Sequence, residues 1–316
     1  MNGGIVSKPY WLHCLSPLHI GAGQGAGYID NPIMREKVTG WPFVPGSSVK
    51  GVLRDLENNR LEESKKEEFN YAFGVRCNDT DRTGANDMGR AGALMFSDAS
   101  IVCLPVRSLF GTFAWCTAPL VLKRLKRNLG LEMMEKIEID VSEISIGKES
   151  VLHHKNHVFL EDLDLSVEKA DTNICETLAD KLSKVLFPKN SDWAEDFKKR
   201  FAIVSDDVFN FLCENGTQVD TRIRLEDGEK IVAKGALWTE EYLPMESILS
   251  GVVHCETRKS EDKNPLETFC SGERTLQLGG LASIGKGRVR CLFGERDKQQ
   301  QESDPTTNVT TPVRGT

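Results

Sequence analysis

Two spacings of apolar positions alternate along the chain and predict strands and helices in turn. PYWLHCL, between Lys8 and Leu15, is an aromatic and aliphatic run that stops at a Ser-Pro, which predicts a strand leading into the loop SPLHIGAGQGAGYIDNPIMRE. In GSSVKGVLRDLENNRL, Val49, Val52, Leu53 and Leu56 recur at helical spacing behind a cap at Ser47 or Ser48, with Lys50 and Arg54 one turn apart near the start. A lysine in the first turn of a helix makes that terminus an anion site.

The same reading predicts a helix over Glu62 to Phe73 and a polar inserted loop over Cys77 to Gly92. ALMFSDASIVCLPV reads as strands, FAWCTAPLVLKRLKRNLGL as a helix with Pro119 early in it, and VFLEDLDLSV as a strand. CETLADKLSKVLF is an amphipathic helix, and FAIVSDDVFNFLC is a strand followed by a helix capped at Ser205-Asp206. TRIRLEDGEKIVAKGALWTEEYLP alternates on both sides of a Glu-Asp-Gly-Glu turn and predicts a projecting β-hairpin. ILSGVVHCE is a further strand, PLETFCSGERTLQLGG a helix into a second glycine loop, and RVRCLFGE a closing strand.

Strands separated by helices predict an α+β fold in which the first and last strands neighbour each other, putting both glycine loops on one face. The expected organisation is one domain over residues 1–295 and a polar, disordered tail over residues 296–316. No repeat at a solenoid period is present.

Composition adds bounds. At 316 residues and 39% hydrophobic content the chain has enough apolar material for a real core. It contains no apolar run of membrane-spanning length and no signal-peptide pattern, so the expected address is the cytoplasm, with no membrane partner. Nine cysteines without C-x-x-C pairs fit buried reduced thiols. A net charge of −7 runs against a nucleic-acid partner, yet Lys and Arg cluster beside the glycine loops, as in Lys286, Arg288 and Arg290.

The candidate chemistry lies in those loops. GAGQGAG is followed neither by the Gly-Lys-Ser/Thr of a phosphate-binding loop nor by the helix of a dinucleotide fold. Its glycines, Gly21 and Gly23 among them, make either a ligand-free flexible loop or one that brings bare amides against a polyanion, with Arg35 following. The second loop holds Gly279, Gly280, Gly285, Lys286, Gly287 and Arg288, an alternation suited to gripping a phosphate backbone and also compatible with a plain tight turn. Asp30, before Asn-Pro, reads as a turn residue or as a general base, metal ligand or positioner beside a phosphodiester. His19 reads as a satisfied strand-end histidine or an acid–base partner. His153, His154 and His157 invite a metal reading, but no accompanying acid matches a zinc-enzyme pattern, so exposed loop histidines are the expectation.

Taken together and in order, SPLHIGAGQGAGYIDNPIMRE, WPFVPGSSVKGVLRD, KGALWTEEYLP and LQLGGLASIGKGRV make the chain resemble the RAMP superfamily over roughly residues 8–293. Within it the resemblance is to the backbone subunit of type III-B (Cmr) CRISPR effector complexes. That resemblance implies an RRM-like (ferredoxin-like) palm with inserted loops and a β-hairpin thumb at about Arg222 to Trp238. It implies a subunit of an antiviral ribonucleoprotein that polymerises with copies of itself and other Cmr subunits along CRISPR guide RNA. The thumb would displace one nucleotide in every six of the single-stranded target RNA, which is then cut at that period. By the same resemblance Asp30 is the residue needed for cutting and His19 supports it, while Lys50, Arg54 and the Gly279 to Arg288 loop line the guide. The implied cofactor is Mg²⁺ or Mn²⁺ at Asp30, and the implied products end in a 2′,3′-cyclic phosphate. Two alternatives stand beside this reading: a non-catalytic RNA-binding scaffold of the same complex, and a metal-independent guide-processing endonuclease using His19.

Overall fold

The computed structural model describes residues 5–23, 27–75, 89–129, 141–167, 172–226, 228, 231–256 and 264–294. In chain order the elements are β1 (Ile5–Cys14), β2 (Phe43–Val44), α1 (Gly46–Asn58), α2 (Lys66–Phe73), β3 (Gly74–Val75), β4 (Arg90–Ala91), β5 (Leu94–Phe96), β6 (Ala99–Arg107) and β7 (Phe113–Thr117). There follow α3 (Pro119–Leu129), β8 (Ile144–Ile146), β9 (His153–His154), β10 (His157–Leu160), β11 (Leu163–Ser166), α4 (Thr172–Leu186), α5 (Ser191–Arg200), β12 (Phe201–Val204) and α6 (Asp206–Asn215). The last elements are β13 (Gln218–Leu225), β14 (Val232–Tyr242), β15 (Ile248–Glu256), α7 (Pro265–Phe269), β16 (Glu273–Gln277) and β17 (Arg288–Phe293).

A ten-stranded sheet in the order β16-β17-β1-β15-β6-β7-β12-β8, with β2 on β6 and β5 on β15, forms the centre of this α+β fold. Its pairs are antiparallel except β7 with β12. Strand β1 explains why the sheet is covered on both faces: Tyr10, Leu12 and Cys14 enter one hydrophobic cluster, while Trp11 enters another. Helices α1, α2, α6 and α7 contribute Val49, Leu53, Phe69, Phe209 and Leu266 to the first cluster; α3, α4 and α5 contribute Leu122, Leu182 and Phe197 to the second. The eight described cysteines are buried free thiols, as their spacing predicts.

The neighbouring of first and last strands positions the functional region. Strand β1 is flanked by β15 and β17, with His13 opposite Ile248 and Cys14 opposite Val289. Because both pairings are antiparallel, the C-terminal end of β1 lies beside the N-terminal ends of β15 and β17. The first glycine loop, the β13–β14 hairpin and the second glycine loop therefore all leave the sheet at one end.

Several sequence expectations are corrected. Phe113–Thr117 is a strand, and the helix starts at Pro119, where a missing amide hydrogen costs nothing. PLETFCSGERTLQLGG is a five-residue helix followed by the edge strand β16. VFLEDLDLSV folds back on itself as β10 and β11, with Val158 opposite Leu165. Helix α1 has Pro45 at its N-cap with no side-chain cap from Ser47 or Ser48; instead the Gly46 amide donates to Asp98 Oδ1 at 2.9 Å. The hairpin is longer than Arg222 to Trp238, running from Gln218 to Tyr242. Most of the Cys77 to Gly92 loop and the whole 296–316 tail lie outside the described residues.

Candidate RNA-contacting site

The site is built on one edge of β14. The other edge pairs with β13, placing Asp220 opposite Glu240 and Arg222 opposite Trp238. Along the free edge, the Asn31 amide donates to Thr239 O at 3.0 Å, and the Glu241 amide donates to Asn31 O at 3.0 Å. Further along, Leu18 and Leu243 exchange a pair of backbone bonds at 2.9 Å. The first loop thus leaves β14 near His19 and returns at Asp30. Its arms are closed by bonds from Ala22 N to Pro32 O and from Met34 N to Ile20 O, leaving Gly21 and Gly23 exposed.

Asp30 is fastened to β14 through one oxygen. Its Oδ2 accepts from the Thr239 amide at 2.8 Å and from the Thr239 hydroxyl at 3.0 Å, and the Asp30 amide donates to that hydroxyl at 3.0 Å. The backbone bond from Thr239, then its hydroxyl, hold the carboxyl below its ordinary value although it is exposed. A carboxylate held ionised in this way is an oxygen donor for cations and a weak base.

His19 sits two residues further along the same edge, so the two anchor points are roughly 7 Å apart at strand rise. Its Nδ1 lies 2.7 Å from Glu241 O; a carbonyl only accepts, so Nδ1 carries the hydrogen and Nε2 is the nitrogen with a lone pair. The ring meets the ring of Tyr242 edge-on at 5.7 Å. The imidazole can therefore take a proton at Nε2 while its orientation is fixed from the other side.

Behind these two residues lie groups that sequence reasoning missed. Glu240 is 5% exposed; its Oε1 accepts from Trp238 Nε1 at 2.8 Å, its Oε2 accepts from the Tyr242 hydroxyl, and Arg222 Nε stands 3.8 Å away. Burial pushes the Glu240 carboxyl up, but these bonds and the Arg222 charge outweigh it and keep the group below its ordinary value. Glu241, on the opposite face, is 2% exposed; it accepts from Arg35 at 2.5 Å, Thr217 at 2.8 Å and the Ile33 amide at 3.0 Å. The only sequence signal for this pair was two adjacent acids in TEEY of a strand that alternates, where two ionised groups facing opposite sides each need a buried partner.

The second glycine loop docks on the same segment. Gly280 N donates to His19 O at 3.1 Å, Gly287 N to Pro17 O at 2.9 Å, and the Leu15 amide to Arg288 O at 2.9 Å. Two of its glycines are required by close approach: a Cβ on Gly279 would stand 2.1 Å from His19 O and one on Gly287 2.0 Å from Leu278 O, both at positive φ. Gly285 and Arg288 are exposed. Lys286 is turned inward, 3.1 Å from Asp220 Oδ2 and 4.2 Å above the Tyr242 ring.

The structure thus brings Asp30, His19, Gly21, Gly23, Gly279, Gly280, Gly285, Lys286, Gly287 and Arg288 to one junction. Arg35 adjoins it from behind, its guanidinium engaged by Glu241, Gly40 O and Cys213 O. Lys50 and Arg54 belong to a separate cleft of about 510 Å³ that also includes Gly74 and Arg90; there the Lys50 ammonium donates to Leu94 O at 2.7 Å. His153, His154 and His157 lie on a small three-stranded sheet, with His157 paired to Asp164 at 2.7 Å. Among the described residues no group of three or more His, Cys, Asp or Glu side chains could hold a metal.

Known proteins share this arrangement of elements. The sequence profile of the RAMP superfamily matches residues 11–290. The CRISPR system Cmr endoribonuclease Cmr4 of Pyrococcus furiosus is 33% identical over 290 residues, covering 90% of this chain and 94% of that protein. The crystal structure of oligomeric Cmr4 from Pyrococcus furiosus superposes with a TM-score of 0.68 at 29% identity, covering 92% and 98% of the two chains. A chain of the cryo-EM structure of the type III-B Cmr-beta bound to cognate target RNA shares the fold, with a TM-score of 0.67 at 18% identity over 91% and 96%. The chain belongs to the RAMP superfamily.

Proposed function

We propose that this chain is a cytoplasmic RNA-binding backbone subunit of a type III-B (Cmr) CRISPR effector complex, and that it cuts target RNA paired to the guide, acting in antiviral defence. In this reading the central sheet is the RRM-like palm, the β13–β14 hairpin the thumb, and the whole of residues 1–295 one domain. The observation that carries the proposal is the placement of Asp30 and His19 on one edge of β14, where both glycine loops leave the sheet. The endoribonuclease name of the Pyrococcus furiosus relative supports it. The exposed backbone of both loops and the Arg288 guanidinium suit a phosphate chain whose sequence is read by guide pairing, and this is why an acidic chain can serve.

RNA carries its own nucleophile, the 2′-hydroxyl, and a subunit that splays one nucleotide supplies much of the acceleration by orientation. His19 Nε2 takes the hydroxyl proton as the 2′-oxygen bonds to phosphorus; the bond from phosphorus to the 5′-oxygen breaks, and that oxygen leaves with a proton from water, giving a 2′,3′-cyclic phosphate and a 5′-hydroxyl. The Tyr242–Glu240 pair keeps the ring of Tyr242 in place against His19. Asp30 fits a divalent cation in a limited way: it is one exposed carboxylate held below its ordinary value, its Oδ1 takes no hydrogen bond among the described residues, and among them it belongs to no group of three or more His, Cys, Asp or Glu side chains. That is the donor set of Mg²⁺ or Mn²⁺ completed by water and substrate phosphate, and such an ion would neutralise charge on the scissile phosphate when bound.

A scaffold without cutting activity is the second reading, favoured by the Thr239 bonds, which a purely structural aspartate would also make. Product analysis of a guide-loaded complex tests the choice. The expected products form a ladder spaced by six nucleotides and ending in 2′,3′-cyclic phosphates. Intact target, or products without that period, would contradict the proposal.

A further inference from the structure

The Lys286 ammonium is unusual for a loop cation beside an RNA-facing surface, because it is satisfied within the protein. Only 15% of its side chain is exposed, it lies 3.1 Å from Asp220 on β13, and it covers the ring of Tyr242 on β14 at 4.2 Å. Its starting point is fixed, since Gly287 is bonded to Pro17 O and Leu278 N to Gly287 O. Asp220 is fixed in turn, its Oδ1 accepting from Gln218 Nε2 at 2.8 Å. One side chain therefore joins three segments: the second glycine loop and both strands of the hairpin. Tyr242 hands the connection on, touching His19 with its ring and Glu240 with its hydroxyl.

We infer that Asp220 is a positioning residue of the RNA-cutting site, holding Lys286 across Tyr242 so that the hairpin keeps one fixed pose over His19 and the two glycine loops. The inference rests on the cutting function proposed above. Asp220 touches no reacting atom in this scheme. It acts through Lys286, whose charge is attracted by both the carboxylate and the ring face. Without Asp220 the ammonium is released to solvent or to RNA phosphate, the ring loses its cation, and the hairpin is no longer joined to the second loop. Misplacement of an orienting group by about an ångström is enough to slow a reaction that depends on alignment.

Two measurements on Asp220→Asn, with Lys286→Met as a second variant, test this. In the full-length free chain, amide hydrogen exchange at residues 238–242 should quicken at least about fivefold, because the local opening is no longer restrained. In the guide-loaded complex under single turnover at saturating target, the cutting rate should fall about tenfold in both variants while the guide affinity of Asp220→Asn stays within about twofold, and Asp220→Glu should recover most of the rate. Unchanged exchange together with unchanged cutting would overturn the inference. So would lost guide affinity at an unchanged cutting rate, which would make Lys286 an RNA contact and nothing more. If the complex carrying Asp30→Ala cuts like the natural one, the functional reading fails, and the exchange measurement still decides whether the connection exists.

Discussion

Thr239 places both of its donors on one oxygen of Asp30, whereas Glu240 and Asp220 each accept a different partner on each oxygen. All three carboxyls titrate below their ordinary values: Asp30 through the Thr239 backbone, Asp220 and Glu240 through bonds and nearby cations that outweigh burial. The sign of the resulting pH dependence follows from linkage. Groups with depressed folded values contribute stability that is complete above their unfolded values, near 4, and that is lost as the pH falls through the folded ones. The Trp238 indole, which donates to Glu240, reports on this: its NH resonance should hold steady from pH 7 to about 5 and shift only below about 4. A transition near pH 6 would assign the control to a histidine instead. That Asp30 and His19 share one glycine-rich loop was legible in the sequence, while their assignment to cutting came from the family resemblance and not from the residues alone. Glu240 and Glu241 were not, since an acidic pair on an alternating strand looks like a solvated surface until Trp238, Tyr242 and Arg35 are known to surround it.

At the scale of elements, the hairpin is held by buried charge and the second loop by close contact. Glu241 is almost fully buried and Arg35 is its guanidinium partner, so Arg35→Met leaves an uncompensated charge and should cost about 3–5 kcal/mol, read as a lower denaturant midpoint. Two glycines of one loop should behave differently. Gly279→Ala meets His19 O at 2.1 Å and should lower the midpoint by an amount equivalent to about 2 kcal/mol or more, whereas a Cβ on Gly285 meets nothing within 4 Å and its substitution should cost only about 1 kcal/mol, the backbone penalty. Equal effects would mean that the docking of the loop on His19 is loose. Strands with continuous apolar runs, such as β1 and β15, and helices with full periodicity, such as α4, could be read from sequence. Phe113–Thr117 was lost because only Ala118 separates it from α3 and Pro119 was read as lying inside the helix instead of starting it. Helix α5 was missed because it buries only Phe197; it is started by Asn190, whose side chain accepts from Trp193 N at 3.1 Å.

For the molecule as a whole, the adjacency of β1, β15 and β17 brings three distant stretches of sequence to one end of the sheet. The prediction that first and last strands meet was enough to foresee the two loops together. That the hairpin joins them depended on β15 pairing with β1, which no local pattern encodes. We propose that this end of the sheet cuts RNA through Asp30 within a guide-loaded complex. The most direct measurement compares cleavage of target RNA by complexes reconstituted with the natural chain and with Asp30→Ala, each with Mg²⁺ or with EDTA, resolved to single nucleotides. The expected result is a periodic ladder from the natural complex with Mg²⁺ and none with EDTA, and intact target with unchanged guide binding for Asp30→Ala. Equal ladders from the two complexes would contradict it.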